Sequence, residues 1–110
     1  MANLEIGSPA PNFTLAANDG KDVSLNALSG QFVVLYFYPK DDTPGCTKEA
    51  IGFTEAKAEF DALGTVIIGV SKDTIAKHEK FITKHNLDLI LGSDEDGAVI
   101  KDYGVWVEKN

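Results

Sequence analysis

The chain has 110 residues, the size of one compact domain, and is 44% hydrophobic and 25% charged, a globular rather than a disordered composition. Seventeen acidic residues against ten basic ones leave a net charge of −7, which argues against a nucleic-acid surface or an anchor on an anionic membrane, since both need clustered positive charge. No stretch approaches the roughly 20 apolar residues of a membrane span, and Met1–Glu5 lacks the basic start and apolar run of a secretory leader, so none is expected.

No repeat or linker divides the sequence, and residues 1–110 read as a single domain. Ile6 to Pro11 reads as a loop, because two prolines restrict it. Phe13 to Ala16 alternates as a short strand, Asn18-Asp19-Gly20 signals a tight turn, and Lys21 to Leu25 returns as the second strand of a hairpin. A single helical turn starting at Ser24 or Asn26 and ending at Gly30 follows. Phe32 to Tyr38 is apolar, β-branched and aromatic with no polar face, which predicts a central strand covered on both sides and ended by Pro39. After a polar loop from Lys40 to Gly45, a helix starts at Cys46 or Thr47. Phe53, Ala56, Phe60 and Leu63 recur on its sheet-facing side, and Gly64 closes it.

Val66 to Val70 is a second buried strand. Asp73 or Thr74 caps the next helix, which carries Ile75, His78, Phe81, Ile82 and His85 along one side. Leu87 to Leu91 is a third strand, Gly92 to Gly97 a loop, and Ala98 to Tyr103 a short helix before Gly104. Strands alternating with helices predict an α/β fold with a mainly parallel core. Active sites of such sheets usually lie at the C-terminal ends of the strands, and the only cysteine falls there.

A lone cysteine is commonly a buried structural residue, but this one follows Thr43-Pro44-Gly45 at a strand-to-helix junction. In the first turn of a helix a thiolate is stabilised by free N–H groups and the positive end of the dipole. Gly45 permits close approach of a small ligand, Pro44 fixes the turn, and the Thr43 hydroxyl can donate to one atom and accept from another. Lowering a thiol pKa from ~8.5 to ~6 raises the thiolate fraction at pH 7 about thirtyfold. The accompanying loss of nucleophilicity leaves a net gain of only about two- to threefold. Most of any rate enhancement must therefore come from groups that position the substrate and stabilise the departing oxygen, for which Thr43 and the amides of Gly45 and Cys46 are the candidates. A single thiol also excludes an internal disulfide and fits a reducing, cytoplasmic setting.

Pro39-x-x-x-Thr43-x-x-Cys46 resembles the peroxiredoxin active-site signature, and Tyr38-Pro39-x-x-x-Thr43-Pro44-Gly45-Cys46-Thr47-x-Glu49-Ala50 is similar to the peroxiredoxin Q, or bacterioferritin comigratory protein, group. Gly7-x-x-Ala10-Pro11-x-Phe13, Gly69-Val70-Ser71-x-Asp73, Ser93-Asp94 and Tyr103-Gly104-Val105-Trp106 extend the likeness along nearly the whole chain. The resemblance implies a thioredoxin-like fold with an N-terminal β-hairpin and a thiol-dependent peroxidase without cofactor or metal. Cys46 would attack hydrogen peroxide or an alkyl hydroperoxide and become a sulfenic acid. Thr43 would hydrogen-bond near the thiolate and the peroxide, Pro39 would shield the site from water, and Glu49 would order the loop.

Two departures accompany the likeness. Where many members carry a resolving cysteine the chain has Ile51, so an external thiol (thioredoxin, glutaredoxin or a small thiol) is expected to reduce Cys46. The family's catalytic arginine falls downstream of the segment matching Trp106, and this sequence contains no arginine. The family's last strands and final helix would also lie beyond Asn110, so an incomplete domain is expected. In such a domain Phe32 to Tyr38 becomes an open edge prone to self-association, and the chain is then an impaired fragment or interaction module.

Other constellations are weaker. His78 and His85 are two turns apart rather than at the closer spacing of helical metal pairs, and are expected at the surface or core edge. Asp94-Glu95-Asp96-Gly97 is like the start of a calcium loop but lacks a ligand aspartate three residues earlier and the closing glutamate, so it reads as a turn, and Trp106 as a packing residue. No Cys-x-x-Cys pair, phosphate-binding glycine loop or histidine base for a cysteine hydrolase is evident.

Overall fold

A computed structural model describes residue 7 and residues 10–20, 22–28 and 30–104. Most of the loop from Ile6 to Pro11, and Trp106, therefore lie outside the described residues. Strands β1 (Thr14–Ala17), β2 (Asp22–Ser24), β3 (Phe32–Phe37), β4 (Thr65–Ser71) and β5 (Ile90–Ser93) form one sheet in the order β2-β1-β5-β4-β3. Helices α1 (Pro44–Ala62), α2 (Ile75–His85) and α3 (Ala98–Asp102) follow β3, β4 and β5 in turn. β3, β4 and β5 run parallel, while β1 pairs antiparallel with both β2 and β5.

Alternation along the strands sorts the core into two layers. On one face Val33, Leu35 and Phe37 of β3 join Ile68 and Val70 of β4 against the hairpin and α3. On the other, Val34, Tyr36 and Tyr38 join Ile67 and Leu91 against Ala50 and Phe53 of α1 and Phe81 of α2. One-residue alternation is the reason, because neighbouring side chains on a strand point to opposite faces.

Several expectations are adjusted. The tight turn expected at Asn18-Asp19-Gly20 takes the form of a short 3-10 segment. Asn18 also reaches back to β5: its side chain accepts from Leu91 N at 2.8 Å and donates to Leu89 O at 3.2 Å. The third strand begins at Ile90, not Leu87, while Leu87 and Leu89 still bury in the helix-side core. Leu63, expected on the sheet-facing side of α1, is 71% exposed just past the helix end. β3 is covered on both faces but is not central: among the described residues it is the last strand of the sheet, and Phe32 at its start is 76% exposed. An apolar run reports coverage of the two faces and not the presence of a neighbour in the hydrogen-bonding direction.

Candidate active site

Helix α1 begins at Pro44, before the expected start at Cys46 or Thr47. Proline suits that position because its missing N–H has no partner there in any case and its φ is already helical. Thr43 is the N-cap with extended backbone, and its carbonyl accepts from Thr47 N at 2.8 Å. Gly45 and Cys46 therefore lie in the first turn, ahead of the first such bond, where amide N–H groups lack helical partners. Their N–H groups and the helix dipole favour negative charge on the Cys46 sulfur and on a departing oxygen.

Cys46 is half-buried against the helix-side core, with Tyr38, Ala50 and Phe81 in the same cluster. The Thr43 hydroxyl donates to Lys40 O at 3.1 Å and does not cap the helix. Its hydrogen is thus committed to the loop, and its lone pairs are left to accept from a hydroxyl donor such as a hydroperoxide. Pro44, Gly45 and Glu49 are exposed, as is Pro39 at the end of β3.

Sequence reasoning missed two groups. The first is Tyr36. Its phenol pKa is raised by burial first and then by the negative charges of Glu49, Asp41 and Cys46, so these four groups share one electrostatic neighbourhood. The Tyr36 ring stacks on Phe53 with centroids 4.7 Å apart and lies across Gly69, where a Cβ would sit 2.7 Å from Cζ. Gly69 pairs with Tyr36 in the β3–β4 register. The glycine of the Gly69-Val70-Ser71 segment is therefore the only residue type that leaves room for the ring.

The second is a buried polar network behind the Cys46 loop. His78, expected at the surface or core edge, is fully buried. Its Nδ1 lies 2.6 Å from Asp41 Oδ2 and its Nε2 3.1 Å from Gly92 O. Tyr38 Oη donates to Asp41 Oδ1 at 2.5 Å, and Tyr38 itself has its pKa raised, by burial first and then by its contact with Asp41. The Asp73 carboxylate accepts from Asp41 N at 2.7 Å and Ser71 Oγ at 2.8 Å. Asp41, Asp73 and His78 bring their ligand atoms within 4.8 Å of one another, as a metal site would. The Asp41–His78 separation is that of a hydrogen bond, however, and a cation would have to displace its proton.

On the outside of the same loop Asp42, at φ 61°, accepts from Lys84 Nζ at 2.6 Å and contacts His85 Nε2 at 2.8 Å. Residues 38–42 are thus tied to α2 from within and from without. The signal in the sequence was the segment Ser71-x-Asp73 and a histidine on the apolar side of α2. Neither points to Asp41 without the fold. Asp94, read as part of a turn, is buried and accepts from Val99 N at 3.3 Å and Ile100 N at 2.8 Å, capping α3.

A thiol in the first turn of the helix after a parallel strand, with a threonine as the N-cap of that helix, is the arrangement expected of a thiol peroxidase. The AhpC/TSA family matches residues 6–110, and the chain belongs to that family. It is similar to the putative peroxiredoxin bcp of Coxiella burnetii, with 49% identity over 108 residues, 98% of this chain and 72% of the relative. It is also similar to the chloroplastic peroxiredoxin Q of Oryza sativa subsp. japonica, with 48% identity over 99 residues, 90% of this chain and 46% of the relative. Among solved structures, peroxiredoxin Q of Xanthomonas campestris superposes with a TM-score of 0.85 at 41% identity, covering 89% of this chain and 62% of that one. Peroxidoxin BcpB of Mycobacterium tuberculosis gives 0.87 at 36% identity, covering 94% and 68%. The fold is that of the peroxiredoxins, and the chain spans from 46% to 72% of the length of these relatives.

Proposed function

We propose that the chain is a thiol-dependent peroxidase in which Cys46 attacks hydrogen peroxide or an alkyl hydroperoxide. The observation that carries this reading is Cys46 in the first turn of α1 with Thr43 as N-cap. One of the neighbouring structures concerns the alkyl peroxide reduction activity of the Xanthomonas campestris bacterioferritin comigratory protein. In the proposed reaction the Cys46 thiolate attacks the distal, hydroxyl-bearing peroxide oxygen: the S–O bond of a sulfenic acid forms as the O–O bond breaks, and the other oxygen leaves as water or an alcohol once it takes a proton. Thr43 accepts a hydrogen bond from the incoming hydroperoxide, and the Gly45 and Cys46 amides offset negative charge at the sulfur and oxygens. Pro44 and Gly45 shape the approach, while Pro39 and Glu49 border it. With one cysteine in the chain, thioredoxin, glutaredoxin or a small thiol completes the cycle, in a reducing compartment such as the cytoplasm.

The test is equimolar hydrogen peroxide on the purified chain with a sulfenic-acid probe, followed by intact mass over seconds to minutes. Labelling much faster than that of a free thiol, and lost in Cys46→Ser, is expected. Labelling at the free-thiol rate would refute peroxidase activity in this chain.

A second reading is favoured by the exposed edge of β3. Its apolar residues, and a side with no strand partner among the described residues, suit pairing with another strand, which would make the chain an impaired, self-associating module. Concentration-dependent sedimentation that Phe32→Lys abolishes, together with free-thiol labelling rates, is its expected signature.

A further inference from the structure

We infer that a lysine-lined groove beside the Cys46 loop receives the anionic group of the small thiol that reduces Cys46, an assignment that rests on the peroxidase reading above. The chain carries a net charge of −7 and only ten basic residues, all lysines. Four of these ten, Lys40, Lys77, Lys80 and Lys84, line one cavity of about 310 Å³, with Phe81 also in its wall. That volume lies at the lower end of the roughly 300–1,000 Å³ typical of small-molecule sites.

The acidic groups around the groove are already engaged. Asp41 shares a proton with His78 and accepts from Tyr38. Asp42 is held by Lys84 and His85. Asp73 is buried and accepts from Asp41 N and Ser71 Oγ. Among the described residues, Lys40, Lys77 and Lys80 have no carboxylate within ion-pair distance, and of the lining carboxylates only Asp73 lacks a cationic partner, so the groove presents an excess of positive charge on an acidic protein.

Lys40 joins the groove to the reacting centre. Lys40 lines the cavity, and its carbonyl accepts from the hydroxyl of Thr43, the N-cap of the helix that carries Cys46. An anion seated on Lys77 and Lys80 is thereby placed next to the loop that presents the sulfur. A carboxylate-bearing thiol fits this chemistry, because charge complementarity draws its anionic group to the lysines beside the loop.

The reaction balances with two such thiols. The first, as thiolate, attacks the Cys46 sulfenic sulfur. An S–S bond forms, the S–O bond breaks, and hydroxide leaves as water after taking a proton. The second thiolate attacks the outer sulfur of the mixed disulfide, releasing a small disulfide and the Cys46 thiolate. Two thiols are oxidised by two electrons in all, and the sulfenic acid is reduced by two.

Thiol–disulfide exchange tests the groove without requiring peroxide chemistry. The reduced full chain is reacted with three disulfides of similar size: dithiodiglycolate (anionic), 2-hydroxyethyl disulfide (neutral) and cystamine (cationic). Each rate at Cys46 is divided by that of a free model thiol. The expected result is a normalised preference for the anionic over the cationic disulfide of roughly tenfold at low salt. It should fall toward unity in 1 M salt, where the screening length is about 3 Å. The doubly substituted Lys77→Glu, Lys80→Glu chain should reverse the preference, whereas Lys101→Glu, the same charge change on α3, should not.

A normalised preference for cystamine in the unsubstituted chain, as the net charge alone dictates, would overturn the assignment, as would equal rates for all three. The salt series on the unsubstituted chain decides the matter even if the double variant does not fold. Failure of sulfenic-acid formation with peroxide would strike the peroxidase reading alone.

Discussion

His78 Nδ1 and Asp41 Oδ2 lie 2.6 Å apart, while the other ring nitrogen of His78 faces the Gly92 carbonyl. A carbonyl can only accept, so Nε2 carries a hydrogen, and the short bond on the Nδ1 side must hold a second one. Whichever partner owns that proton, the pair is neutral overall, which permits its burial. The relationship joins the Cys46 loop to α2 through the interior.

Removing one partner leaves the other buried and unsatisfied. His78→Ala is therefore expected to cost about 3 kcal/mol of unfolding free energy, read from the urea midpoint at constant slope. It should also slow sulfenic-acid formation, because residues 38–42 lose their inner tie. A loss below about 1 kcal/mol would show that the loop is held mainly from outside.

Thr43→Val keeps the shape of the N-cap side chain and removes its hydroxyl. The expected result is a fall of roughly 10²-fold in the peroxide reaction with little change in thermal midpoint, since the hydroxyl does not cap α1. Thr43→Ser should retain most of the rate. Equal rates for the valine and serine variants would remove Thr43 from the mechanism.

Tyr36 and Tyr38 both have raised phenol pKa values, chiefly through burial. The folded state thus holds these protons more tightly than the unfolded chain does. Their contribution is complete below the unfolded value of ~10 and is lost as pH rises above it, by up to about 1.4 kcal/mol per pH unit for each tyrosine. Urea unfolding at alkaline pH should show this slope, and Tyr36→Phe should reduce it.

Asp42 has its pKa lowered, first by the hydrogen bond from Lys84 and then by that from His85. Its stabilising effect is present above the unfolded value of ~3.9 and is lost as pH falls through the lower folded value. The carboxyl is exposed, so the effect weakens with salt. A carboxyl titration by NMR should place its midpoint below the ordinary aspartate value, and Lys84→Gln should move it upward.

Gly69→Ala forces a methyl group against the Tyr36 ring, with nearest approach 2.7 Å. Displacing a ring already stacked on Phe53 should cost about 1–3 kcal/mol. The Gly69→Ala, Tyr36→Ala double variant should recover part of the packing strain. Strict additivity of the two losses would contradict the contact.

The local elements were legible because each rests on short-range chemistry. β3 stops at Phe37, just short of Pro39, and Thr74 caps α2 by accepting from Lys77 N. Cys46 at a strand-to-helix junction needed only the order of these signals. The errors have equally local causes: Leu63 lies past the last helical turn, and the apolar run from Leu87 does not reveal where pairing with β4 begins.

By itself the sequence determined the alternation of strands and helices, the placing of the only thiol in a first helical turn, and its family. Periodicity, caps and a contiguous motif act over a few residues and survive without knowledge of the fold. Only the tertiary structure decided that Asp41 meets His78 across 37 residues, that Tyr36 lies on Gly69, and that four lysines share one groove. Those relationships depend on which strands pair and how helices pack upon them, so burial and charge at each position are properties of the assembled core.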